Sequence, residues 1–310
     1  MKIKNHSHNC LMISAIIIVV ALVMSLFGYG VNPGLDFGGG LNIRYDMGQP
    51  FEQNDIRDVL DAQGVAGYSI ARSGGNGSVL EIRVPQLEDE RWVRDLQTAV
   101  ESSLQLKYPQ MDIAAGTSGY RGPVAGAALV RNAIISVLLV IVLTLIYIAI
   151  RFGINSGIAA AVGLVHDVLI VLSFMVLLRN FIPINASFIA AMLIVVGYCI
   201  NNTVVIFGCI RANRAKPAFT HVSREEVVNL SVRESLGRTV GTGVALLAIC
   251  ILCILGVESI RAFALPVIIG IVSGIYSANM ISGYVWAYLE ERRKGRKKGK
   301  GKGKQKSKRA

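Results

Sequence analysis

The hydrophobic and polar positions of this 310-residue chain follow two different patterns. Six stretches are apolar almost throughout: 11–27, 133–150, 156–178, 181–207, 240–257 and 262–289. A helix needs about 20 apolar residues to cross the hydrocarbon core. Only a helix or a closed barrel satisfies its own backbone there. Runs this long exclude barrel strands, so six transmembrane helices are expected. Lys2 and Lys4 precede the first run and no A-x-A-like cleavage site follows it, which makes it an uncleaved signal anchor. Between the first two runs the pattern changes. Residues 41–46 alternate like a strand, and 51–63 read as a helix with Ile56, Val59 and Leu60 on one face. Residues 68–71 and 79–84 read as strands around a turn at 73–78, followed by a helix at 88–106 and a further strand at 111–115. The order β-α-β-β-α, extended by that last strand, suggests a ferredoxin-like sandwich. The expected fold is an α-helical polytopic membrane protein with one small α+β domain. Its segments are 1–10 (N-terminus), 11–29 (first span), 30–128 (α+β domain), 129–290 (five-helix membrane domain) and 291–310 (tail).

Charge then sets the orientation. The formal net charge of +12 and the pI near 9.7 invite a nucleic-acid reading. Twelve Lys/Arg and no acid lie from Arg292 onward, which leaves 20 bases and 20 acids for the rest of the chain. The excess is therefore a Lys/Gly tail on a neutral membrane body. Lys2, Lys4, Arg151, the 4–5 loop with Arg211, Arg214, Lys216, Arg224, Arg233 and Arg238, and the tail all fall on one side of six helices. By the positive-inside rule that side is the cytoplasm. Residues 31–129 carry thirteen acids against eight bases and lie outside, as do the short turns at 179–183 and 256–261. Near an anionic surface each base contributes about 1 kcal/mol, so anionic lipids are the tail's expected partner. Ribosomal RNA contact during insertion is the alternative, and no specific nucleic-acid partner is expected.

Ordinary enzyme chemistry is not legible. Cys10, Cys199, Cys209, Cys250 and Cys253 all sit in or beside spans, so the external domain has no disulfide framework. Cys250-x-x-Cys253 is embedded in apolar residues and reads as packing. His6, His8, His166 and His221 form no zinc-ligand set. Gly38, Gly39 and Gly40 lack the strand–turn–helix context of a phosphate loop. With no nucleophile or nucleotide motif, neither an enzyme nor a cofactor is expected.

Polar groups inside the spans carry the functional reading. A charge in hydrocarbon costs about 2.5–3.5 kcal/mol on insertion scales, so it normally faces protein or water. Asp167, beside His166 in the third span, is the one acid well inside a span. It is either a hydrogen-bonded anchor between helices or part of a proton relay. Tyr198 and Asn202 share a face of the fourth span, Thr242 lies on the face of Arg238 in the fifth, and Ser273 and Ser277 pair in the sixth. Gly270 and Gly274 allow close helix approach there. A polar seam between the fourth, fifth and sixth spans is expected if these stripes meet. Helix glue through Asn and Ser, with Arg238 snorkelling at the interface, is the plainer reading.

These residues and others resemble the SecF family of bacterial protein-export membrane subunits. Gly34-Leu-Asp-Phe-Gly-Gly-Gly40 resembles the family's LDFxGG signature, and Arg121-Gly-Pro-Val-Ala-Gly126 resembles its VGPxVG entry to the second helix. Val165-His-Asp-Val-Leu-Ile170 resembles HDVLI, and 197–206 with Ile210-Arg-Ala-Asn213 resembles the GYSxNDTVV…RIREN run. Arg238-Thr239 resembles the RT motif. The resemblance implies an RND-type half, a SecD partner, association with the SecYEG channel and YajC, and preprotein as cargo. It implies late export driven by the proton-motive force after the SecA ATPase has acted. It also places the proton path at an Asp of the NDT motif and at the RT arginine.

Here the arginine matches as Arg238, but the Asp position is Asn202. An amide does not titrate in the range where a carboxylate does. Phe207-Gly-Cys-Ile-Arg-Ala-Asn213 also loses charges of the family run, and Gly241-Thr-Gly-Val-Ala245 loses hydroxyls. Proton coupling then uses the partner's acid, or Asp167, or is weak in this chain. The first is preferred, and restoring Asn202→Asp is expected to raise proton-dependent export. An RND-like half for lipid or small solute, and a structural assembly subunit, are the alternative functions. Asp36, Gly38, Gly39 and Gly40 are expected to form a packed hinge turn after the first span, with Pro123 and Gly126 at the second hinge.

Overall fold

The computed structural model describes residues 3–73, 78–85, 90–121, 123–219, 222–256 and 260–293. The tip of the turn expected at 73–78 and most of the basic tail lie outside these residues, as does His221. The chain forms two compact units: Asn32–Ile135 with Pro183–Ala186, and Met1–Val31, Ser136–Ile182 with Ser187–Ala310.

The first unit carries the sandwich. Strands β1 (Gly40–Asp46), β2 (Ser69–Ser73), β3 (Val79–Pro85) and β4 (Asp112–Arg121) pair antiparallel in the order β2-β3-β1-β4. This is the ferredoxin-like order. Alternation in β1 puts Leu41, Ile43 and Tyr45 on the buried face, opposite Val84, Ile82 and Leu80 of β3. Two amphipathic helices cover that face. Helix α3 (Gln53–Ala62) contributes Ile56 and Leu60, and α4 (Glu90–Lys107) contributes Val93, Leu96, Val100 and Leu104. A four-residue helix α2 (Leu35–Gly38) precedes β1. Strand β4 is longer than expected because Gly116, Thr117, Ser118 and Gly119 offer little apolar alternation. Backbone pairing with β1 extends it through Ser118 and Tyr120.

The second unit holds helices α1 (Ile3–Leu26), α6 (Ile154–Leu177), α8 (Arg224–Gly256), α9 (Arg261–Ser277) and most of α5 (Pro123–Phe152) and α7 (Ala186–Ala215). Helix α9 runs on through a π-helical turn, Ala278–Ser282, to Arg293. Among the described residues six helices are long and apolar enough to cross a membrane. Their burial differs: α6, α7 and α9 are half or more buried in their spans, whereas α1, α5 and α8 are mostly exposed. Small residues let the inner helices touch. A side chain at Gly270 of α9 would run into Val195 of α7, and one at Gly274 into Cys199. At one end of the spans, Ile148, Ile206, Phe207, Val227, Val228 and Trp286 form a shared core.

Helices α3 and α4 are pinned by a polar contact that titrates. The Tyr108 hydroxyl donates to Asp55 Oδ2 (2.6 Å) and Lys107 Nζ donates to Oδ1 (2.9 Å). The Tyr108 bond first, then Lys107, holds the Asp55 carboxyl below the usual carboxylate range. A carboxylate favoured by folding stabilises fully above its unfolded pKa, about 3.9, and this stabilisation is lost as pH falls through the lower folded value. Asp55→Asn is therefore expected to lower the denaturation midpoint of the sandwich at neutral pH. The gap from wild type should close as pH drops below about 4. Urea titration of the full chain, read by Trp92 fluorescence in a Trp286→Phe background, checks this. A gap that stays constant with pH removes Asp55 from the account.

Candidate functional site

Asp167 is 1% exposed and sits in the middle of α6. Two hydroxyls one helical turn apart on α9 reach it: Ser273 Oγ donates to Oδ1 (2.6 Å) and Ser277 Oγ to Oδ2 (2.7 Å). The spacing of four residues puts both serines on one face, so each oxygen of the carboxylate receives its own donor. Its chain neighbour His166 places Nδ1 3.2 Å from Oδ1. The other ring nitrogen, Nε2, lies 2.8 Å from the Tyr276 hydroxyl, with the two rings edge to face. Tyr276 Oη in turn lies 2.5 Å from Ser14 Oγ of α1, and Ser14 bonds the Cys10 carbonyl at 2.9 Å. One unbroken hydrogen-bonded chain thus links Asp167 to His166, Tyr276, Ser14 and the backbone of α1. Its outer end borders a largely apolar cavity of about 420 Å³ between α1, α6 and α9.

This chain supports two proton arrangements. With a neutral imidazole, Nδ1–H donates to Asp167, and Tyr276 donates to Nε2 while accepting from Ser14. With an imidazolium, Nε2–H donates to Tyr276, which then donates to Ser14, and Ser14 donates to the Cys10 carbonyl. The links from Asp167 through His166 and Tyr276 to Ser14 keep a donor and an acceptor in both states, whereas the Ser14–Cys10 link has its donor only with the imidazolium, because Ser14 carries a single proton. The chain therefore accommodates a proton at His166 by reversing the direction of its hydroxyl bonds, and the Nδ1–Oδ1 contact is the link across which that proton would pass to the Asp167 carboxyl.

The structure does not assemble the full seam expected between the fourth, fifth and sixth spans. Ser273 and Ser277 turn to Asp167 on α6 instead, where the carboxyl group offers each hydroxyl its own acceptor oxygen. Tyr198 and Asn202 are buried on α7. The Tyr198 hydroxyl and Asn202 Nδ2 have no hydrogen-bond partner among the described residues. Gly243 of α8 and Gly274 of α9 both face Tyr198, so these helices meet there through small residues. Arg238 and Thr242 lie on the exposed side of α8, and the Thr242 hydroxyl donates back to the Arg238 carbonyl (2.8 Å). Ser14 and Tyr276 were not singled out in the sequence. The available signal was a hydroxyl in each of two apolar runs, with Tyr276 three positions beyond Ser273.

In the sandwich unit, Asp36 has a defined task. Its Oδ2 accepts the backbone N–H of Ala186 (2.9 Å), the first residue of α7. It thereby satisfies a helix-terminal donor and places a negative group at the positive end of the helix dipole. Residues 32–34 run alongside Ile184, with Gly34 N–H donating to the Ile184 carbonyl (2.6 Å). Gly38 closes α2, and Gly39 and Gly40 adopt positive φ, +74° and +139°, in the link to β1. Pro123 is the first residue of α5. Gly126 packs so closely on the Phe37 carbonyl that a side chain there would collide with backbone.

Removing both serine donors leaves Asp167 Oδ2 without a donor and Oδ1 with His166 alone, and an unsatisfied buried acceptor costs about 1–3 kcal/mol. Ser273→Ala with Ser277→Ala is thus expected to lower the unfolding temperature in detergent. Adding Asp167→Leu to that pair should recover part of the loss, since the orphaned acceptor is gone. A triple variant less stable than the double would show that the serines do not serve the carboxylate.

Comparison with known proteins places these features in a family. The family model described as protein export membrane protein SecD/SecF, C-terminal, matches residues 102–292. The chain is 30% identical over 274 residues to protein translocase subunit SecF of Endomicrobium trichonymphae, covering 87% of this chain and 84% of that protein. It is 31% identical over 285 residues to the protein of the same name from Desulfurispirillum indicum, with coverages of 89% and 87%. It is also similar to the crystal structure of SecDF, a translocon-associated membrane protein from Thermus thermophilus. The TM-score is 0.75 at 26% identity, over 94% of this chain and 39% of that one. A second SecDF structure, in a super-membrane-facing form, gives 0.67 at 27% identity over 97% and 40%. The chain spans about two fifths of these SecDF chains. It belongs to the SecD/SecF family of protein-export membrane proteins, on the SecF side of that family.

Proposed function

We propose that this chain works with a SecD-type partner at the SecYEG channel, with YajC as a further associate, to promote late, proton-motive-force-dependent export of preproteins. It resides in the bacterial inner membrane with both termini cytoplasmic and residues 30–128 forming an extracytoplasmic domain. Within this chain the proton is handled at Asp167 and His166, with Tyr276 and Ser14 as the relay. The observation that carries this reading is the unbroken chain of hydrogen bonds from α1 to a carboxylate buried between α6 and α9. Asn202 supports it by contrast, since its amide cannot exchange a proton in the working range. Arg238, on the exposed side of α8, is available to a partner subunit. On this reading Asp167, rather than the partner's acid, handles the proton in this half of the complex, with the hydrogen-bonded chain as its support.

The test is preprotein export into inverted membrane vesicles, with and without a proton gradient. Asp167→Asn and Tyr276→Phe are expected to remove most of the gradient-dependent increment while sparing ATP-driven export. Asn202→Asp is expected to change that increment less than twofold. A normal increment in Asp167→Asn, combined with its loss in Arg238→Ala, would assign coupling to the partner interface. An unchanged increment in all of these variants would leave a structural assembly role.

A further inference from the structure

A second charged cluster lies at the ends of the spans, apart from Asp167. Arg151, the penultimate residue of α5, and Arg211 and Arg214 in the last turns of α7 line a cavity of about 500 Å³. Phe152, Phe207 and Trp286 form its aromatic walls. The arginines are held in place. Arg211 Nη1 donates to the Arg151 carbonyl (3.0 Å), the Arg151 guanidinium stacks 5.5 Å from the Phe152 ring, and that of Arg214 stacks 5.3 Å from Trp286. Among the described residues one carboxylate answers them. Glu290 lies 3.6 Å from Arg214 and also accepts from Asn155 Nδ2 (2.6 Å). Arg151 and Arg211 have no carboxylate partner among the described residues, and residues 202–215 contain no acid. Arg224 adds a like charge within range of Arg214, and its Nε is buried without a partner among the described residues. Guanidinium groups gathered this closely repel one another unless an anion joins them.

The surroundings define the anion. The cavity opens where apolar helices end, and Ile150 and Ile154 beside it are 82% and 71% exposed. A phosphate oxyanion suits forked guanidinium donors, which bind it in bidentate fashion. Aromatic side chains, Trp above all, favour the headgroup level of a bilayer. An oxyanion that arrives with hydrocarbon attached satisfies both halves of this site. We propose that the cavity is a specific site for the phosphodiester of an anionic phospholipid, held by Arg151, Arg211 and Arg214, with its acyl chains lying along the exposed apolar face beside Ile150 and Ile154. The assignment does not depend on which side of the membrane this end faces, nor on the export reading.

Native mass spectrometry of the full-length protein, released from nanodiscs of phosphatidylglycerol or phosphatidylcholine, tests it. Wild type is expected to retain one phosphatidylglycerol in preference to phosphatidylcholine. Arg211→Gln with Arg214→Gln should weaken that retention about 30-fold. Arg151→Gln, which breaks no ion pair, should weaken it in the same direction and keeps the test decisive if the double variant does not fold. Arg233→Gln, an exposed charge on α8 outside the cavity, should bind as wild type does. Equal retention of the two lipids, or equal loss in Arg233→Gln, would overturn the site. Inorganic phosphate displacing the lipid at millimolar concentration, with the same arginine dependence, would overturn the lipid as its source.

Discussion

A carboxylate among apolar helices has no water to bond, and each lone pair left empty in hydrocarbon is costly. At Asp167 the replacement donors come from Ser273, Ser277 and His166. That requirement orders much of the membrane unit. It fixes the rotation of α9, because both serines must face α6. Once they do, Tyr276 between them turns toward His166, and α1 is drawn in through Ser14. Gly270 and Gly274, on the same helix, then meet α7, where Val195 and Cys199 leave no room for a side chain. The polar and small faces of α9 are two consequences of one helix being packed against four others, α1, α6, α7 and α8.

Much of this was legible in the sequence. Six apolar runs became six helices, since length and hydropathy leave few alternatives in a membrane. The sandwich was readable because its strands alternate and its helices are amphipathic, and the observed sheet order agrees with the ferredoxin-like reading. Strand β4 was read too short because its second half carries glycine and small polar residues. Its pairing comes from β1, a long-range partner that local pattern does not encode. The direction of the polar stripes was illegible for a related reason. Periodicity shows that Ser273 and Ser277 share a face but not which helix they face. The choice was made by Asp167, 106 positions from Ser273 in the chain.

The residues kept from the family pattern and those that depart from it now separate by environment. Asp36, at the glycine-rich signature, meets the half-buried start of α7 and satisfies a backbone donor, a task that needs an acceptor at a helix N-terminus. Asn202 occupies a buried place where the family pattern has a carboxylate, and its Nδ2 is left without a partner. An orphaned amide costs less there than an orphaned charge would. Asp167 is accommodated in the spans because it is surrounded by donors rather than by lipid. The arginine-lined cavity at the helix ends shows the opposite imbalance, with three guanidinium groups in its lining and, among the described residues, one carboxylate, Glu290, paired with them.

The central claim is that the carboxylate of this membrane domain that exchanges a proton is Asp167, through His166. Infrared difference spectroscopy on the reconstituted chain, with aspartate isotopically labelled at the carboxyl carbon and a proton gradient switched on and off, tests it most directly. The account requires an isotope-sensitive protonated-carboxyl band that responds to the gradient, is absent in Asp167→Asn and is shifted in Tyr276→Phe. A gradient-dependent band that persists unchanged in Asp167→Asn would place the titrating acid elsewhere and contradict the account.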